Sequence, residues 1–368
     1  MEPYIPHLLP LKEIDAHRLL PWVGEASTMV GRYDGLLQGI VNPAVMLSPL
    51  MNEEAVLSSR IEGTQATIDE VLEQEAGMLK EGKKFHDIQE ILNYRKALFS
   101  AQNALENGAP ITPYLLRELH KILLDSVRGA DKNPGEFRKD QNWIGSYGCK
   151  VENATFVPPN PMQLDAYLEN WGNYAAGKDI DVLIQAGVIH AQFELLHPFK
   201  DGNGRIGRIL IPLFLFQKKA LSKPMFYLSS YLESHRDEYY HRLHSISLHD
   251  DWNGWLEFFL KAIVEQAGDN SIKVKKIMTL YENMKQKIHN TTRSQYVIQI
   301  LDALFAQPIF KSADFTKRTG IVRLTAAGYI RQLKEAGILK ELAHRSGSRG
   351  SVFCFPELLN VVEGKKTF

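Results

Sequence analysis

Two strongly apolar segments constrain the fold of this chain more than any other feature. Residues 179–196 read DIDVLIQAGVIHAQFELL and residues 209–216 read ILIPLFLF. The first segment is apolar on almost every side of a helix, which is typical of a helix buried in a core, and the second is equally apolar. A chain of 368 residues is long enough to bury both. We therefore predict a mainly α fold with two central helices.

A polar motif, HPFKDGNGRIGR at residues 197–208, connects these two segments. Gly202, Asn203 and Gly204 allow backbone conformations that bulkier residues resist. Their amide groups can converge on an anion at the positive end of the second helix. A lone Gly-Asn-Gly turn is more often a structural loop, but the side chains around this one favour an anion-binding turn.

Those side chains suggest a chemistry. Arg205 and Arg208 are three residues apart, so both can reach the same side of the first helical turn, and guanidinium groups suit phosphate. Asp201 is the kind of carboxylate that binds Mg²⁺ beside phosphates, and His197 can take a proton near neutral pH. Phe199 is expected to anchor the loop in the core. This set favours phosphoryl or nucleotidyl transfer from a nucleoside triphosphate. No GxxxxGK[ST] motif occurs, which excludes a P-loop enzyme.

Helical patterns occupy most of the remaining chain. In SPLMNEEAVLSSRIEG, Ser48 is predicted as N-cap, Pro49 as the first helical residue and Gly63 as a left-handed C-terminal cap. Residues 134–161 break the pattern with glycines, prolines and short β-prone runs, which predicts a hairpin or flap. Other helices are predicted over residues 87–105, 112–125 and 162–176.

Composition restricts the location and the partners. Lys plus Arg and Asp plus Glu both number 43, so no overall charge directs the chain to nucleic acid or a membrane. We expect no signal peptide and no membrane span, and hence a cytoplasmic protein. Cys149 and Cys354 lie far apart and are expected to be reduced thiols. Two of the three close histidines His241, His244 and His249 share a helical face, which makes a metal site conceivable, but no suitable spacing of a third ligand supports one.

The motif at 197–208 resembles the signature of the Fic family, HPFx(D/E)GNGRxxR, at every fixed position. The resemblance extends through GEFRKDQNWIG (135–145), FVPPNP (156–161) and DEYYHRL (237–243) to about residue 265. It implies a Fic-type helical bundle with a small β-hairpin flap. It also implies a protein adenylyltransferase, which uses Mg²⁺ to transfer AMP from ATP to a Ser, Thr or Tyr hydroxyl of a target protein and of itself.

The resemblance implies roles for individual residues. His197 would deprotonate the target hydroxyl, and Asp201 would hold Mg²⁺ beside the ATP phosphates. The other residues of the loop and downstream helix that it implies at the ATP site are Pro198, Phe199, Lys200, Gly202, Asn203, Gly204, Arg205, Arg208, Ser229, Tyr239 and Tyr240. The flap that would align the target by main-chain pairing comprises Asn153, Ala154, Thr155, Phe156 and Val157. Tyr239 and Tyr240 fit core tyrosines of a helix equally well.

The sequence SSRIEG at residues 58–63 resembles the inhibitory motif of the family, (S/T)xxxE(G/N). Ser58 and Glu62 lie one helical turn apart. By resemblance, Glu62 pairs with Arg208 and occupies the γ-phosphate position of the ATP site, because a carboxylate can replace a phosphate before a guanidinium group. The alternative is an exposed glutamate at a helix end, where its charge opposes the helix dipole.

The C-terminal residues follow the order helix, short helix, longer helix and β-hairpin, which resembles a winged helix-turn-helix. Such domains bind DNA or serve protein docking and dimerisation, and both remain open here. A rival hypothesis is therefore a DNA-binding transcriptional regulator whose Fic fold is a nucleotide sensor or a vestige. Family relatives also suggest a homodimer. The basic residues that favour DNA are Lys317, Arg318, Arg323, Arg331, Arg345 and Arg349, and the acidic ones that dilute them are Asp314, Glu335 and Glu341.

These patterns predict four regions. They are an N-terminal helical region (1–110) with the inhibitory helix at about 48–62, a Fic core (111–265), a connecting helix and linker (266–294) and a winged-helix domain (295–368).

Overall fold

The computed structural model of the protein describes residues 2–78, 84–146, 148–343 and 350–364. Most of them lie in α-helices, which confirms the predicted fold class. The helices before the motif are α1 (Ala16–Gln38), α2 (Pro43–Met46), α3 (Ser48–Ile61), α4 (Ile68–Glu75), α5 (Phe85–Glu106), α6 (Pro113–Leu123) and α7 (Leu164–Ala176). Those from the central pair to the long helix are α8 (Val182–Leu196), α9 (Asn203–Gln217), α10 (Ser229–Ser234), α11 (Arg236–His249) and α12 (Trp252–Thr292).

Helices α8 and α9 form the centre of the core and pack against each other. Nearly every residue of both is buried. Helix α8 begins after Asp181, whose Oδ1 accepts hydrogen bonds from the Leu183 and Ile184 backbone N–H groups at 2.7 and 3.2 Å. The motif therefore connects two core helices, as the apolar segments predicted.

Helix α3 ends as predicted but begins differently. Gly63 has a φ of +95°, so the chain leaves the helix through a left-handed residue that favours glycine. Ser48 is not the N-cap that the sequence predicted, because it already belongs to α3, which starts only two residues after the end of α2. Its hydroxyl instead donates to the Ala306 carbonyl at 3.3 Å.

The flap region contains less β-structure than the hairpin that was predicted. A single antiparallel bridge joins Ile144 and Phe156, and a short 3-10 helix, Val151–Asn153, lies between them. Pro158 and Pro159 follow Phe156 after a single residue and cannot donate to a ladder, so the pairing stops at this bridge within the described residues.

The chain divides into two compact units. The first comprises the described parts of residues 1–34, 57–64 and 89–268, and the second those of 35–56, 65–88 and 269–368. The connecting segment predicted at 266–294 is mostly the second half of α12, which begins at Trp252.

The C-terminal part of the second unit carries a small antiparallel sheet of strand order β1-β3-β2. Ile309 pairs with Cys354, and Cys354 with Lys340. The order helix, strand, helix, helix, strand, strand is compatible with the predicted winged helix; β1 and the last helix were not predicted. The two wing arginines, Arg345 and Arg349, lie outside the described residues. The elements are α13 (Val297–Ala306), β1 (Ile309–Lys311), α14 (Ser312–Thr319), α15 (Arg323–Glu335), β2 (Lys340–Ala343), β3 (Val352–Cys354) and α16 (Pro356–Glu363).

Within the described ranges, no helix combines the length and the apolar character that crossing a bilayer requires. Cys149 and Cys354 are both free thiols. The described residues also contain no group of three or more histidine, cysteine or acidic residues arranged to hold a metal ion.

Candidate active site

The loop between α8 and α9 has an unusual backbone. His197 ends α8 in the left-handed region, with φ +44° and ψ +58°, which non-glycine residues rarely adopt. Gly202 has a φ of +78°, and a Cβ at this position would lie 3.1 Å from Leu123 Cδ2. The tight turn therefore requires glycine at 202 and holds His197 in a strained conformation.

Asn203 closes the loop on itself. Its side-chain Oδ1 accepts from the Phe199 backbone N–H, and its Nδ2 donates to the Phe199 carbonyl, both at 2.9 Å. The Phe199 ring is fully buried and stacks on His120, with ring centroids 3.8 Å apart. Phe199 is thus the core anchor that the sequence predicted. Lys200 pairs with Asp140 at 2.8 Å on the outer side of the loop.

The first turn of α9 faces an anion, and that anion is Glu62. A Cβ on Gly204 would overlap Glu62 Oε1 and would lie 2.9 Å from Arg208 Nη1. Arg208 Nη2 donates to Glu62 Oε1 at 2.7 Å and to the Ser58 carbonyl at 2.9 Å. Arg208 Nε donates to Ser58 Oγ at 2.8 Å. The residues of the SSRIEG motif and of the loop are therefore in direct contact.

The Glu62–Arg208 pair is strongly coupled. Burial alone would raise the pKa of Glu62, but the Arg208 guanidinium outweighs it and the pKa lies below its usual range. Burial would lower the pKa of Arg208, but Glu62 raises it. Arg208 Nη1 is buried without a hydrogen-bond partner among the described atoms, so one donor beside Gly204 is unused. A buried donor without a partner is costly, which is typical of a site that receives a ligand.

Arg205 points elsewhere, contrary to the prediction that it shares a side with Arg208. It is fully buried, and its Nη1 contacts Glu90 Oε2 at 3.1 Å. Its Nη2 lies 3.4 Å from Asp201 Oδ1, and Arg128 also contacts Glu90, at 3.4 Å. Glu90 was missed by the sequence reasoning, although a glutamate between the buried Ile88 and Ile91 of α5 was a usable signal.

Asp201 presents one carboxylate at the mouth of the loop. Its Oδ1 accepts from the Gly202 backbone N–H at 2.6 Å, and its side chain is 32% exposed. A Cβ on Gly129 would lie 2.8 Å from Asp201 Oδ2, so the neighbouring backbone approaches this oxygen closely. One carboxylate is too few for a metal alone. It suits Mg²⁺ that takes its remaining ligands from phosphates and water.

His120, which the sequence reasoning did not select, braces the same loop. Its Nδ1 accepts from the Gly135 backbone N–H at 2.8 Å. The other ring nitrogen, Nε2, therefore carries the proton and donates to the Asp201 carbonyl, 3.0 Å away. Burial lowers the pKa of His120 to about 4, in keeping with this neutral form.

His197 is arranged as a neutral base. Its Nδ1 is buried and has no hydrogen-bond partner in the described part of the chain. Burial and then the positive charge of Arg138 lower the pKa of His197 to about 4. The imidazole is therefore unprotonated at neutral pH and can accept a proton there.

Glu194 is a second residue near Arg208 that the sequence did not suggest. A Cβ on Gly207 would overlap its Oε1, and that oxygen is buried without a partner among the described atoms. Burial raises the pKa of Glu194 to about 8, so it is mostly neutral at pH 7. Arg208 therefore keeps Glu62 as its charged partner.

The predicted nucleotide-lining residues fall into two groups. Ser229 and Tyr239 are fully buried, and Tyr239 Oη lies 3.0 Å from His190 Nε2. Tyr239 thus sits as a core tyrosine. Tyr240 is 41% exposed, so part of its surface is accessible to a ligand. The Arg236 guanidinium carbon lies over the Tyr240 ring, 5.8 Å from the ring centroid.

The predicted flap residues lie together beside Ile144. The Thr155 and Phe156 N–H groups donate to the Ile144 carbonyl at 2.7 and 3.1 Å. The Val157 carbonyl accepts from the Tyr4 N–H at 2.9 Å. Asn153 and Thr155 are exposed, whereas Ala154 and Val157 are buried.

Three family models match this chain. Residues 20–103 match the N-terminal model of the Fic/DOC family, and residues 110–215 match the Fic/DOC family model itself. Residues 280–358 match the C-terminal domain of SoFic-like protein adenylyltransferases.

Similar curated proteins carry related names. Protein adenylyltransferase Fic of Drosophila virilis is 29% identical over 161 residues, which cover 43% of this chain and 31% of that protein. A probable protein adenylyltransferase of Aquifex aeolicus is 28% identical over 179 residues, which cover 48% of this chain and 51% of that protein. The chain thus spans about a third to a half of the length of these relatives.

Similar solved structures share the fold. A Fic family protein from Desulfovibrio desulfuricans has a TM-score of 0.59 at 19% identity, covering 96% of this chain and 98% of that chain. A Fic domain containing signaling protein from Bacteroides thetaiotaomicron has a TM-score of 0.56 at 19% identity, covering 68% of this chain and 97% of that chain. At such low sequence identities, the similarity shows a shared fold only.

Proposed function

Because this chain belongs to the Fic/DOC family, we propose that it is a protein adenylyltransferase. It would transfer AMP from ATP to a Ser, Thr or Tyr hydroxyl of a target protein and of itself. The names of the curated relatives support this activity.

One observation carries the proposal: a carboxylate lies against the glycine-lined turn that would hold a phosphate. Glu62 Oε1 fills the space that a Cβ on Gly204 would occupy, and it pairs with Arg208 at 2.7 Å. The unused Nη1 donor of Arg208 borders the same space. A site in which an arginine binds a carboxylate beside a glycine of the first helical turn is also suited to a phosphate group.

The transfer can be written with the residues in place. The neutral His197 imidazole takes the proton of the target hydroxyl, and the oxygen attacks the α-phosphorus of ATP. The bond between the α-phosphorus and the bridging oxygen to the β-phosphate breaks, and pyrophosphate leaves with the electron pair. The target then carries AMP through a phosphodiester bond.

Asp201 is the residue that would hold Mg²⁺, because its carboxylate is half-exposed at the mouth of the turn. Bound there, Mg²⁺ would neutralise charge on the polyphosphate and on the leaving pyrophosphate. His120 and Arg205 contact Asp201 from the protein side, so its position is fixed before any metal binds.

We expect Asp201→Asn to lower the rate of AMP transfer by at least roughly 100-fold, because the neutral amide is a poor ligand for Mg²⁺. The loss should be partly recovered at high Mg²⁺ concentration, as measured by auto-AMPylation across a Mg²⁺ titration. The matched control is Asp237→Asn, which removes an exposed carboxylate of α11. Full activity of Asp201→Asn at low Mg²⁺ would contradict the assignment.

The proposed base also predicts a pH profile. Because the pKa of His197 is lowered to about 4, the base stays unprotonated as the pH falls through the usual histidine range near ~6.5. The kcat/KM of a Glu62→Gly variant, which reports the free enzyme, should therefore fall only as the pH approaches about 4. Glu62 carries a negative charge that raises the pKa of His197. Its removal therefore cannot shift the acid limb of the pH profile to higher pH. An acid limb near ~6.5 would contradict the assignment.

We further propose that the exposed flap residues dock the target chain by main-chain pairing. Thr155 and Asn153 lie on the exposed side of the flap, next to the bridge that already joins Phe156 to Ile144. The proposed partner is an extended protein segment with a hydroxyl side chain. A homodimer is a further proposal.

A second candidate function rests on the C-terminal elements from α13 to β3. Their order fits a winged helix, and the predicted basic residues Lys317 and Arg323 belong to α14 and α15. Incubation of the protein in a cell lysate with labelled ATP, CTP, GTP or UTP distinguishes the two candidate functions. Labelled protein bands support the transferase. Salt-sensitive retention of DNA without any labelling supports a DNA-binding regulator.

A further inference from the structure

Arg138 lies in GEFR, before the flap, and binds the chain where α8 becomes the loop. Its Nε donates to the His197 carbonyl at 2.9 Å. Its Nη2 donates to the Pro159 and Leu196 carbonyls at 2.6 and 3.3 Å. Its backbone N–H donates to the Pro198 carbonyl at 2.8 Å. One residue therefore binds the carbonyl oxygens of three consecutive positions, with His197 in the middle.

The charge of Arg138 has no acidic partner among the described residues. The residue is 3% exposed, and the hydrogen-bond partners of its side chain are carbonyl oxygens. Burial lowers the pKa of Arg138 to about 10. Burying a cation without a counter-ion is unfavourable for folding, so a role of the charge itself would explain why an arginine stands here.

That charge acts on His197. Burial is the largest influence on the imidazole and disfavours its protonation. Arg138 adds to this effect, whereas the charges of Glu62 and Asp201 oppose it. The same guanidinium also binds the His197 carbonyl, at a residue whose backbone is left-handed. Geometry and charge therefore converge on the one group that must be both correctly placed and unprotonated.

We propose that Arg138 is a positioning residue, which holds His197 in its left-handed backbone conformation and adds a positive charge that disfavours protonation of its imidazole. The inference depends on the proposed function only for its kinetic consequence. The effects on backbone and imidazole are properties of the protein itself and are measurable without any transfer reaction.

The test compares Arg138→Gln, Arg138→Lys and the control Lys139→Gln, each combined with Glu62→Gly. Lys139 is exposed, so its replacement removes a positive charge next to Arg138 without touching the loop. We expect Arg138→Gln to lower kcat at least roughly 100-fold, since a small displacement of a reacting group costs about that much, while KM for ATP changes little. Lys139→Gln should keep the parent kcat.

The second readout is the pKa of His197, followed by NMR of protein with labelled histidine. Loss of the positive charge in Arg138→Gln should raise the pKa of His197 by roughly one unit. Arg138→Lys keeps the charge and should leave that pKa near the parent value, yet it should still lower kcat because one ammonium cannot bind the same set of carbonyls.

Two results would overturn the proposal. One is an Arg138→Gln variant that keeps both the parent kcat and the parent pKa of His197. The other is an equal loss of kcat, ATP binding and thermal stability in both Arg138 variants with no change in that pKa, which is what a purely structural residue gives. If the Glu62→Gly parent itself transfers no AMP, the proposed function fails, but the NMR comparison still decides the role of Arg138.

Discussion

His197→Ala is expected to abolish AMP transfer while ATP binding persists. The alanine removes the imidazole proposed as the base, and general bases of this kind contribute roughly 10²- to 10⁴-fold to a rate. The groups proposed to bind the phosphates, Gly204 and Arg208, lie on α9 and do not depend on the imidazole. The rate of auto-AMPylation of Glu62→Gly/His197→Ala, relative to Glu62→Gly alone, gives the effect directly.

Two controls make the His197 result interpretable. Calorimetry should give an ATP dissociation constant within about 3-fold of the parent, which corresponds to less than roughly 0.7 kcal/mol. His249→Ala removes an exposed histidine of α11 and should leave transfer unchanged. Labelling by the His197 variant at the parent rate would exclude this residue as the base, and loss of ATP binding would assign it a different role.

Glu62→Gly is expected to raise both auto-AMPylation and target AMPylation by about 10- to 100-fold, which corresponds to roughly 1.4 to 2.8 kcal/mol of competition relieved at the site. Glu62 occupies Arg208 Nη2 and the space above Gly204. Because its pKa lies below the usual range, the carboxylate is ionised at neutral pH and competes with a phosphate for the same guanidinium. Its removal frees these donors without disturbing Ser58, which contacts Arg208 separately.

The size and the contacts of the side chain define the controls for this variant. Glu62→Gln keeps the volume of the side chain and loses its charge. Its rate of AMP transfer should therefore lie between those of the wild-type protein and of Glu62→Gly. Glu53→Gln, on the same helix, breaks an ion pair with Lys273 and should have no effect on transfer. Equal rates for Glu62→Gly and the wild-type protein across ATP concentrations would rule out restraint by Glu62.

The sequence predicted the parts of the site that depend on neighbours in the chain. The apolar segments located α8 and α9, and the glycines between them indicated a turn, because helix burial and turn geometry are local properties. The contact of Glu62 with Arg208 joins residues 146 positions apart. It was expected only through the resemblance of SSRIEG to an inhibitory motif.

The residues that brace the loop were not predicted, because they act through tertiary contacts. His120, Arg138 and Glu90 reach the loop from other segments. Each is a polar residue that is almost completely buried. Charged residues are mostly exposed in folded proteins and histidines are intermediate, so their burial against the loop is not expected from their residue type. Arg205 shows how such a contact changes a prediction. Its spacing from Arg208 predicted that both side chains lie on the same side, but Arg205 pairs with Glu90 instead.

The central claim is that the chain transfers AMP, and the position of the label in ATP tests it most directly. The Glu62→Gly variant is incubated with Mg²⁺ and ATP that carries radioactive phosphorus at either the α- or the γ-phosphate. Our account predicts that the protein becomes labelled from the α-phosphate and not from the γ-phosphate, and that His197→Ala loses this label. Label from the γ-phosphate, or no label from either nucleotide, would contradict it.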